Sequence, residues 1–95
     1  MLNNLIPGSV DKSHFYLLLS LTSINSERIR SALEQYFVYG AELKNVCKDF
    51  DVNVSYFSLK VRVIQDVSRT VLTLYPYYEN LYREIKNRTG SIDGL

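Results

Sequence analysis

The sequence predicts an all-α fold, a small helical domain of about five to six helices built around a helix-turn-helix. Apolar residues recur at intervals of three and four along most of the chain, as they do on one face of an α-helix. The apolar run from Phe15 to Leu19 could form a buried strand, but no second run is suited to pair with it. With 95 residues, 46% hydrophobic and 22% charged, the chain is predicted to form one domain with a modest core.

The first two helices follow from local signals. Pro7-Gly8 is a turn signal, so residues 1–10 are predicted to form an N-terminal arm. Helix 1 is predicted from Asp11 to about Leu21, with Ser9 or Asp11 as its cap, and its continuous apolar run predicts burial on more than one side. Helix 2 is predicted to be capped by Asn25 or Ser26 and to stop at Gly40. Its core stripe is Ile29, Ala32, Leu33, Tyr36 and Phe37.

Residues 43–64 are predicted to form the helix-turn-helix. The first of its helices runs from about Glu42 to Phe50, and Asp51-Val52-Asn53 interrupts the apolar pattern. Asn53 is a suitable N-cap for the second helix, and the small Cys47 allows two crossing helices to approach closely. Such a pair places its second helix in a DNA groove. The apolar face of the first helix is formed by Leu43, Val46, Cys47 and Phe50.

The fourth helix is predicted to run toward Leu74 or to bend near Asp66, and Pro76 is predicted to end it. A last short helix is expected from Glu79 to about Asn87, followed by a flexible tail at 88–95. The tyrosines around Pro76 are expected to pack on the core with this segment, although base stacking is an alternative. They are Tyr75, Tyr77, Tyr78 and Tyr82.

Three faces are predicted on the fourth helix at 100° per residue. The core face holds Phe57, Val61, Ile64 and Ser68, and a polar face holds Ser55, Ser58, Arg62 and Asp66. A second apolar stripe is formed by Leu59, Val63 and Val67. This stripe predicts an interface with another copy of the chain, or a C-terminal segment that folds back to cover it.

The net charge of +1 is low for a protein that binds nucleic acid. It is uneven, however, because residues 54–78 carry three basic residues against one acidic residue. The single cysteine excludes an intramolecular disulfide framework and a cysteine-based zinc site, and it favours a reducing compartment. No signal peptide or membrane-spanning run is recognised, so the cytoplasm is expected.

No metal-ligand spacing, glycine-rich phosphate loop or catalytic constellation is present, so we expect neither an enzyme nor a cofactor. DNA contacts are expected instead from the helix-turn-helix. Lys44 and Lys48 would hold phosphates, as would the helix N-terminus at Asn53. Ser55, Ser58 and Arg62 would face a groove, with Lys60 near the phosphates. Tyr56 would contact a sugar edge or pack in the second apolar stripe, and a solvated helix face is the alternative for the whole set.

Short pieces spread over about Leu5 to Tyr78 carry a family resemblance by their order and spacing. They are Leu5-Ile6-Pro7-Gly8-Ser9, His14-Phe15-Tyr16-Leu17-Leu18, Ser23-Ile24-Asn25-Ser26-Glu27-Arg28, Val46-Cys47, Tyr56-Phe57-Ser58 and Pro76-Tyr77-Tyr78. The chain resembles the PapB/FocB-like adhesin biosynthesis transcription regulators. The resemblance implies an all-helical domain and cooperative, oligomeric binding to A·T-rich repeated promoter sites upstream of fimbrial genes.

The family's helix-turn-helix region corresponds to Lys44, Lys48 and Asn53 to Arg62. Leu43 and Val63 stand at positions where a relative is expected to be basic. The resulting hypothesis is a regulator of a fimbrial or adhesin operon whose partners are double-stranded DNA and further copies of itself, with no membrane or small-molecule ligand. The alternative is a protein-interaction module with weak DNA affinity that modulates a related regulator or a recombinase.

Overall fold

Four helices make up the regular structure of residues 4–89, which are the residues that the computed structural model describes. They are α1 (Lys12–Ser20), α2 (Glu27–Phe37), α3 (Leu43–Asp49) and α4 (Val54–Thr89). The all-helical prediction is therefore confirmed for this part of the chain. The predicted count of five to six helices is wrong, because one 36-residue helix replaces the shorter C-terminal helices.

Of the two candidates predicted for each cap, Asp11 caps α1 and Ser26 caps α2. Asp11 accepts hydrogen bonds from the backbone N–H groups of Ser13 and His14, at 3.0 and 3.2 Å. Ser26 accepts from the N–H of Ile29 at 3.4 Å. Both side chains thereby satisfy amide groups that the first turn of a helix leaves without a carbonyl partner.

The core lies where α1, α2 and α3 pack around the first three turns of α4. Its fully buried large side chains are Phe15, Leu33, Phe37, Val46, Phe57 and Ile64. Phe57 meets Tyr36 of α2 edge to face, with ring centroids 6.0 Å apart. Burial of α1 on more than one side is only partly observed, because Leu17 in the middle of its apolar run is 67% exposed. No neighbouring helix covers that face of α1.

Helix α4 continues through Pro76, which was predicted to end it. A proline removes one main-chain hydrogen bond, to the carbonyl four residues earlier. That carbonyl belongs to Leu72, and both residues are exposed, so water can solvate it and reduce the cost. The separate helix predicted at Glu79 is therefore the last part of α4. At 1.5 Å per residue α4 is about 54 Å long, which matches the longest dimension of the molecule, 51 Å.

The C-terminal segment does not fold back over the core. Because residues 70–88 extend α4 in line, they cannot cover the second apolar stripe of the same helix. The expected packing of the C-terminal tyrosines is wrong for the same reason. Residues 88 and 89 of the predicted flexible tail lie in α4, whereas residues 90–95 are outside the described part of the chain. No helix in residues 4–89 has the length and apolar content needed to cross a bilayer.

Residues 4–10 of the predicted N-terminal arm are hydrogen-bonded to the end of α2 and to α4. Its backbone donates from the N–H of Gly8 to the carbonyl of Phe37 at 2.8 Å, at the end of α2. Gln65 of α4 receives a hydrogen bond from the N–H of Leu5 at 2.7 Å and donates one to its carbonyl at 3.0 Å. Arg69 also donates to Asn4 at 2.5 Å. Residues 4–10, the N-terminal strap, therefore join the end of α2 to the middle of α4.

Two glycines make the close approach of the strap possible. Gly8 and Gly40 have φ values of +84° and +77°, a region that L-residues rarely adopt. A Cβ built on Gly40 would lie 3.2 Å from the Cα of Gly8, and a Cβ on Gly8 would lie 3.0 Å from the Cα of Gly40. Both contacts involve backbone atoms, which cannot move aside as the end of a side chain can.

Gly40→Ala is therefore expected to lower the free energy of unfolding by about 1–2 kcal/mol. The added methyl group strains the backbone and presses on Gly8. Urea denaturation followed by circular dichroism would measure the loss, with the exposed Ser9→Ala as a control expected to change stability by less than about 0.5 kcal/mol. Equal stability of the two variants would contradict the packing described for the strap.

Candidate nucleic-acid interface

A short turn of defined geometry joins α3 to α4. The N–H of Val52 donates to the carbonyl of Cys47 at 2.9 Å, and the N–H of Asp51 donates to the carbonyl of Lys48 at 3.3 Å. This pair of bonds, with Asp51 in the left-handed region at φ +54°, forms a Schellman motif. Val52 and Cys47 are both buried, which adds the apolar contact that usually accompanies the motif. The turn therefore fixes the direction in which α4 leaves α3.

Asn53 caps α4 at the exposed end of this turn. Its side-chain oxygen accepts from the N–H of Tyr56 at 3.0 Å, as the sequence predicts for an N-cap. The first turn of α4 holds no acidic residue. No carboxylate of that turn therefore compensates the positive end of the helix dipole, an arrangement that favours an anion such as a phosphate.

The polar residues that begin near this helix end form no ion pair with an acidic residue within residues 4–89. Ser55, Ser58 and Arg62 are exposed and lie within about 60° of one another around α4. Asp66, one turn beyond Arg62, is instead ion-paired with Arg69. No ion pair within residues 4–89 includes Arg62, so its guanidinium has all of its donors available for a ligand.

Tyr56 and Lys60 form a second group on a different side of α4. The Nζ of Lys60 lies 5.1 Å from the centroid of the Tyr56 ring, in a cation–π contact. Lys60 is half-buried, and its position is about 160° around the helix from Arg62. The predicted contact residues of α4 therefore lie on two faces rather than in one patch. The spacing of four between an aromatic and a basic residue could have identified this pair.

Lys44 and Lys48 lie on α3, one turn apart, and both are exposed. Lys48 is in the last turn of α3, where the negative end of the helix dipole stabilises its charge. Leu43 and Val63, the two positions where a basic residue is expected, are both half-buried. Leu43 packs against the core, which gives it a structural role in this chain.

The second apolar stripe of α4 is exposed at one end and partly covered at the other. Leu59 is 56% exposed, and Val63 is half-buried. Val67 is also half-buried, because it packs against the core. The role of the stripe Leu59, Val63 and Val67 as an oligomer interface stays a prediction.

Two residues with reactive side chains lie away from this surface. Cys47 is buried, and removal from water raises the pKa of its thiol. His14 is exposed on α1 and does not join a group of metal-ligating side chains, since residues 4–89 contain no cluster of three such side chains. Neither residue belongs to the candidate interface.

The Cys47 thiol is expected to react slowly with a disulfide reagent such as DTNB in the folded protein and rapidly after denaturation. Burial blocks access, and the raised pKa keeps the thiol protonated at neutral pH. Because only the unfolded thiol ionises readily, raising the pH through its ordinary value also favours unfolding. Rapid reaction with the native protein would show that α3 packs less tightly than described.

The comparisons with known proteins point to one family. Residues 2–78 match the family described as adhesin biosynthesis transcription regulatory protein. The chain is 43% identical over 68 residues to the regulatory protein FanB of Escherichia coli, covering 72% of this chain and 69% of the relative. It is 36% identical over 74 residues to PapB of the same organism, the regulatory protein of a major pilus subunit operon, covering 78% and 71%.

The fold is similar to a solved structure as well. The crystal structure of FocB from E. coli superposes with a TM-score of 0.75 and 34% sequence identity, covering 80% of this chain and 86% of FocB. The matched family region ends at residue 78, so the last turns of α4 lie beyond it.

Proposed function

The chain belongs to the adhesin biosynthesis transcription regulatory protein family, and we propose that it controls a fimbrial or adhesin operon by binding promoter DNA through α3 and α4. Transcription regulatory proteins are not enzymes, so the candidate site is a binding surface. A regulator of this kind acts where the chromosome lies, so the proposal includes a cytoplasmic location.

In this proposal α3, the turn and α4 act as a helix-turn-helix across residues 43–64. The N-terminus of α4 at Asn53 and the two lysines of α3, Lys44 and Lys48, contact phosphates and orient the domain. Ser55, Ser58 and Arg62 then face a groove. Arg62 has the donor geometry to read a guanine edge or to enter a narrow A·T-rich minor groove.

The observation that carries the proposal is Arg62, which forms no ion pair within residues 4–89 and lies about two turns along α4 from a helix N-terminus whose first turn holds no carboxylate. The only acidic side chain within one turn along the same face of α4, Asp66, is engaged by Arg69. A helix face that only contacts solvent gives no physical reason for this arrangement of Arg62, Asp66 and Arg69. Tyr56 and Lys60 support a contact at the flank, where the Lys60 ammonium is held over the ring and can reach a phosphate at the groove edge.

Cooperative self-association is the second part of the proposal. A net charge of +1 gives a single protomer little electrostatic affinity for DNA. Several protomers on repeated A·T-rich sites would add their contacts, and the stripe Leu59, Val63 and Val67 is an apolar surface through which they can meet. The affinity then comes from the assembly rather than from each domain alone.

Fluorescence anisotropy with an A·T-rich duplex at increasing salt tests the proposal. The logarithm of the binding constant is expected to fall linearly with the logarithm of salt concentration. Replacing Lys44 or Lys48 with alanine is expected to reduce the slope by about 1 if each contacts a phosphate. Lys86→Ala, on the last turns of α4, is the matched control and should leave the slope unchanged.

The net charge and the engaged Lys60 favour one alternative, an interaction module that modulates a related regulator or a recombinase. In that case the α3–α4 surface has weak DNA affinity and the apolar stripe contacts the other protein. Absence of duplex binding even at low salt would support this alternative and reject DNA binding.

A further inference from the structure

We propose that residues 70–88 of α4, the distal segment, pair with the same segment of a second copy as a parallel two-stranded coiled coil. The inference rests on the proposed self-association and adds to the stripe Leu59, Val63 and Val67 a second surface, further along α4. It concerns a part of α4 that extends past the core and, from residue 79 onward, past the matched family region.

The distal segment exposes an unusual number of large apolar side chains. One row of them is the distal seam, formed by Val71, Leu74, Tyr78 and Leu81, which are 39%, 43%, 61% and 46% exposed. Tyr75, Tyr77 and Tyr82 flank this row, with exposures of 58%, 71% and 50%. No other element in the described part of the chain covers the row beyond Leu74. A helix with this composition is typical of one that packs against another helix.

The spacing of the distal seam is that of a coiled coil. Its members follow one another at intervals of three, four and three residues, which is the heptad pattern of a and d positions. The pattern is continuous with Ile64 and Val67, which occupy the preceding a and d positions. Ile64 is buried in the domain's own core, and the half-buried Val67 packs against that core. The same row of α4 therefore packs on the domain first and then emerges from it without a cover.

The residue types favour two parallel strands. A β-branched residue at position a with leucine at position d is the combination found in parallel dimers, and Val71 and Leu74 provide it. Leu81 repeats the leucine at d, with Tyr78 at the intervening a position. In a parallel pair Tyr77 of one copy would lie beside Tyr82 of the other, so no like charges oppose each other at this step.

The exposed area is sufficient for a stable pair. The seven side chains of the distal seam and its flanks together expose on the order of 700 Å². A standard protein interface buries roughly 800 Å² on each partner, whereas monomers rarely expose apolar patches above a few hundred Å². The occupant must present an apolar helical row of the same length, and a second distal segment does so.

Pro76 is placed where a coiled coil tolerates it. It lies about 140–160° around the helix from the members of the distal seam, on the face that would point to solvent. An isolated helix of this length with an internal proline is marginal in water. Pairing supplies the tertiary contacts that this part of α4 lacks within its own chain.

Sedimentation equilibrium of the full chain without DNA tests the proposal. The wild-type protein is expected to form a species of twice the 11.0 kDa protomer mass at micromolar concentration. Leu81→Lys should raise the dimer dissociation constant at least about tenfold, because it places a charge at position d. Leu72→Lys makes the same change off the seam, at a residue 55% exposed, and should leave dimerisation intact. Thermal melts of both variants verify that the domain is folded.

Disulfide formation tests the orientation. In a parallel pair Tyr78 meets its own counterpart, so Tyr78→Cys should form a dimer on mild oxidation. Cys47 is buried and should not interfere. Arg83→Cys, on the outer face, is the control and should form at least about tenfold less disulfide under the same conditions.

A monomeric wild-type protein, or dimers equally stable in Leu81→Lys and Leu72→Lys, would overturn the proposal. So would preferential oxidation of Arg83→Cys. These measurements need no DNA, so they are distinguishable from a failure of DNA binding. If the protein binds no duplex but dimerises through Leu81, the coiled coil stands and the proposed DNA-binding surface is rejected. If Leu81→Lys still binds the duplex cooperatively, the DNA-binding surface stands and the coiled coil is rejected.

Discussion

Arg62→Ala is expected to weaken binding to the specific operator by about 1–3 kcal/mol, or about 5- to 160-fold in dissociation constant. Arg62 is exposed and has no carboxylate partner within the described residues, so its substitution should not destabilise the fold. The loss would therefore report a contact with DNA and not a change in the protein. Gel-shift titration with the operator would measure it.

Two further variants separate base reading from charge. Arg62→Lys keeps the positive charge but loses the planar fork of donors, so it should restore phosphate contact and not base contact. Arg28→Ala, which removes an exposed charge from the first turn of α2, should have little effect. Operator binding by Arg62→Ala at the level of Arg28→Ala would rule out Arg62 as a contact residue.

Phe57→Ala is expected to lower the free energy of unfolding by about 3–5 kcal/mol. The ring is fully buried and joins the first turns of α4 to Tyr36 of α2. A cavity there removes contacts from both helices at once. For a domain of this size the midpoint of thermal unfolding should fall by at least about 12 °C.

Leu17→Ala provides the comparison for this core variant. Leu17 lies on α1, is 67% exposed and belongs to neither proposed surface, so its effect on stability should stay within about 0.5 kcal/mol. Calorimetry of the two variants would check the difference. Similar melting temperatures would mean that the core does not lie between α2 and α4.

The local signals of the sequence predicted much of the fold. Asp11, Ser26 and Asn53 cap the helices that they were expected to cap, because a cap depends only on residues within one turn. The apolar stripe of α2 is likewise buried apart from Tyr36, which is half-buried. Periodicity of three and four was sufficient to identify these faces.

The features that the sequence did not predict depend on contacts between residues that are distant in sequence, or on which side chains face solvent. The strap pairs Leu5 with Gln65 across 60 residues, and no local pattern relates the two. Pro76 is a helix breaker by its local chemistry, but the side of the helix on which it falls decides the outcome. The side of the helix on which Pro76 lies can be read from the sequence only if α4 is assumed to continue past it.

The candidate interface was predictable in its residue types and not in its grouping. A helical wheel places Arg62 and Asp66 on one face, where a pairing at four residues would be expected. Asp66 instead pairs with Arg69, three residues on, which frees Arg62. Lys60 similarly turns toward Tyr56. Such choices among neighbouring partners depend on side-chain conformations that composition and spacing do not fix.

The exposed tyrosines of the distal segment have an optical consequence. The chain has eight tyrosines and no tryptophan, so its intrinsic emission comes from tyrosine alone. Four of the eight, Tyr75, Tyr77, Tyr78 and Tyr82, are at least half exposed on one stretch of α4. Their emission and their accessibility to a neutral quencher will change when a neighbouring helix covers them. The proposed assembly can therefore be followed by tyrosine fluorescence without any attached dye.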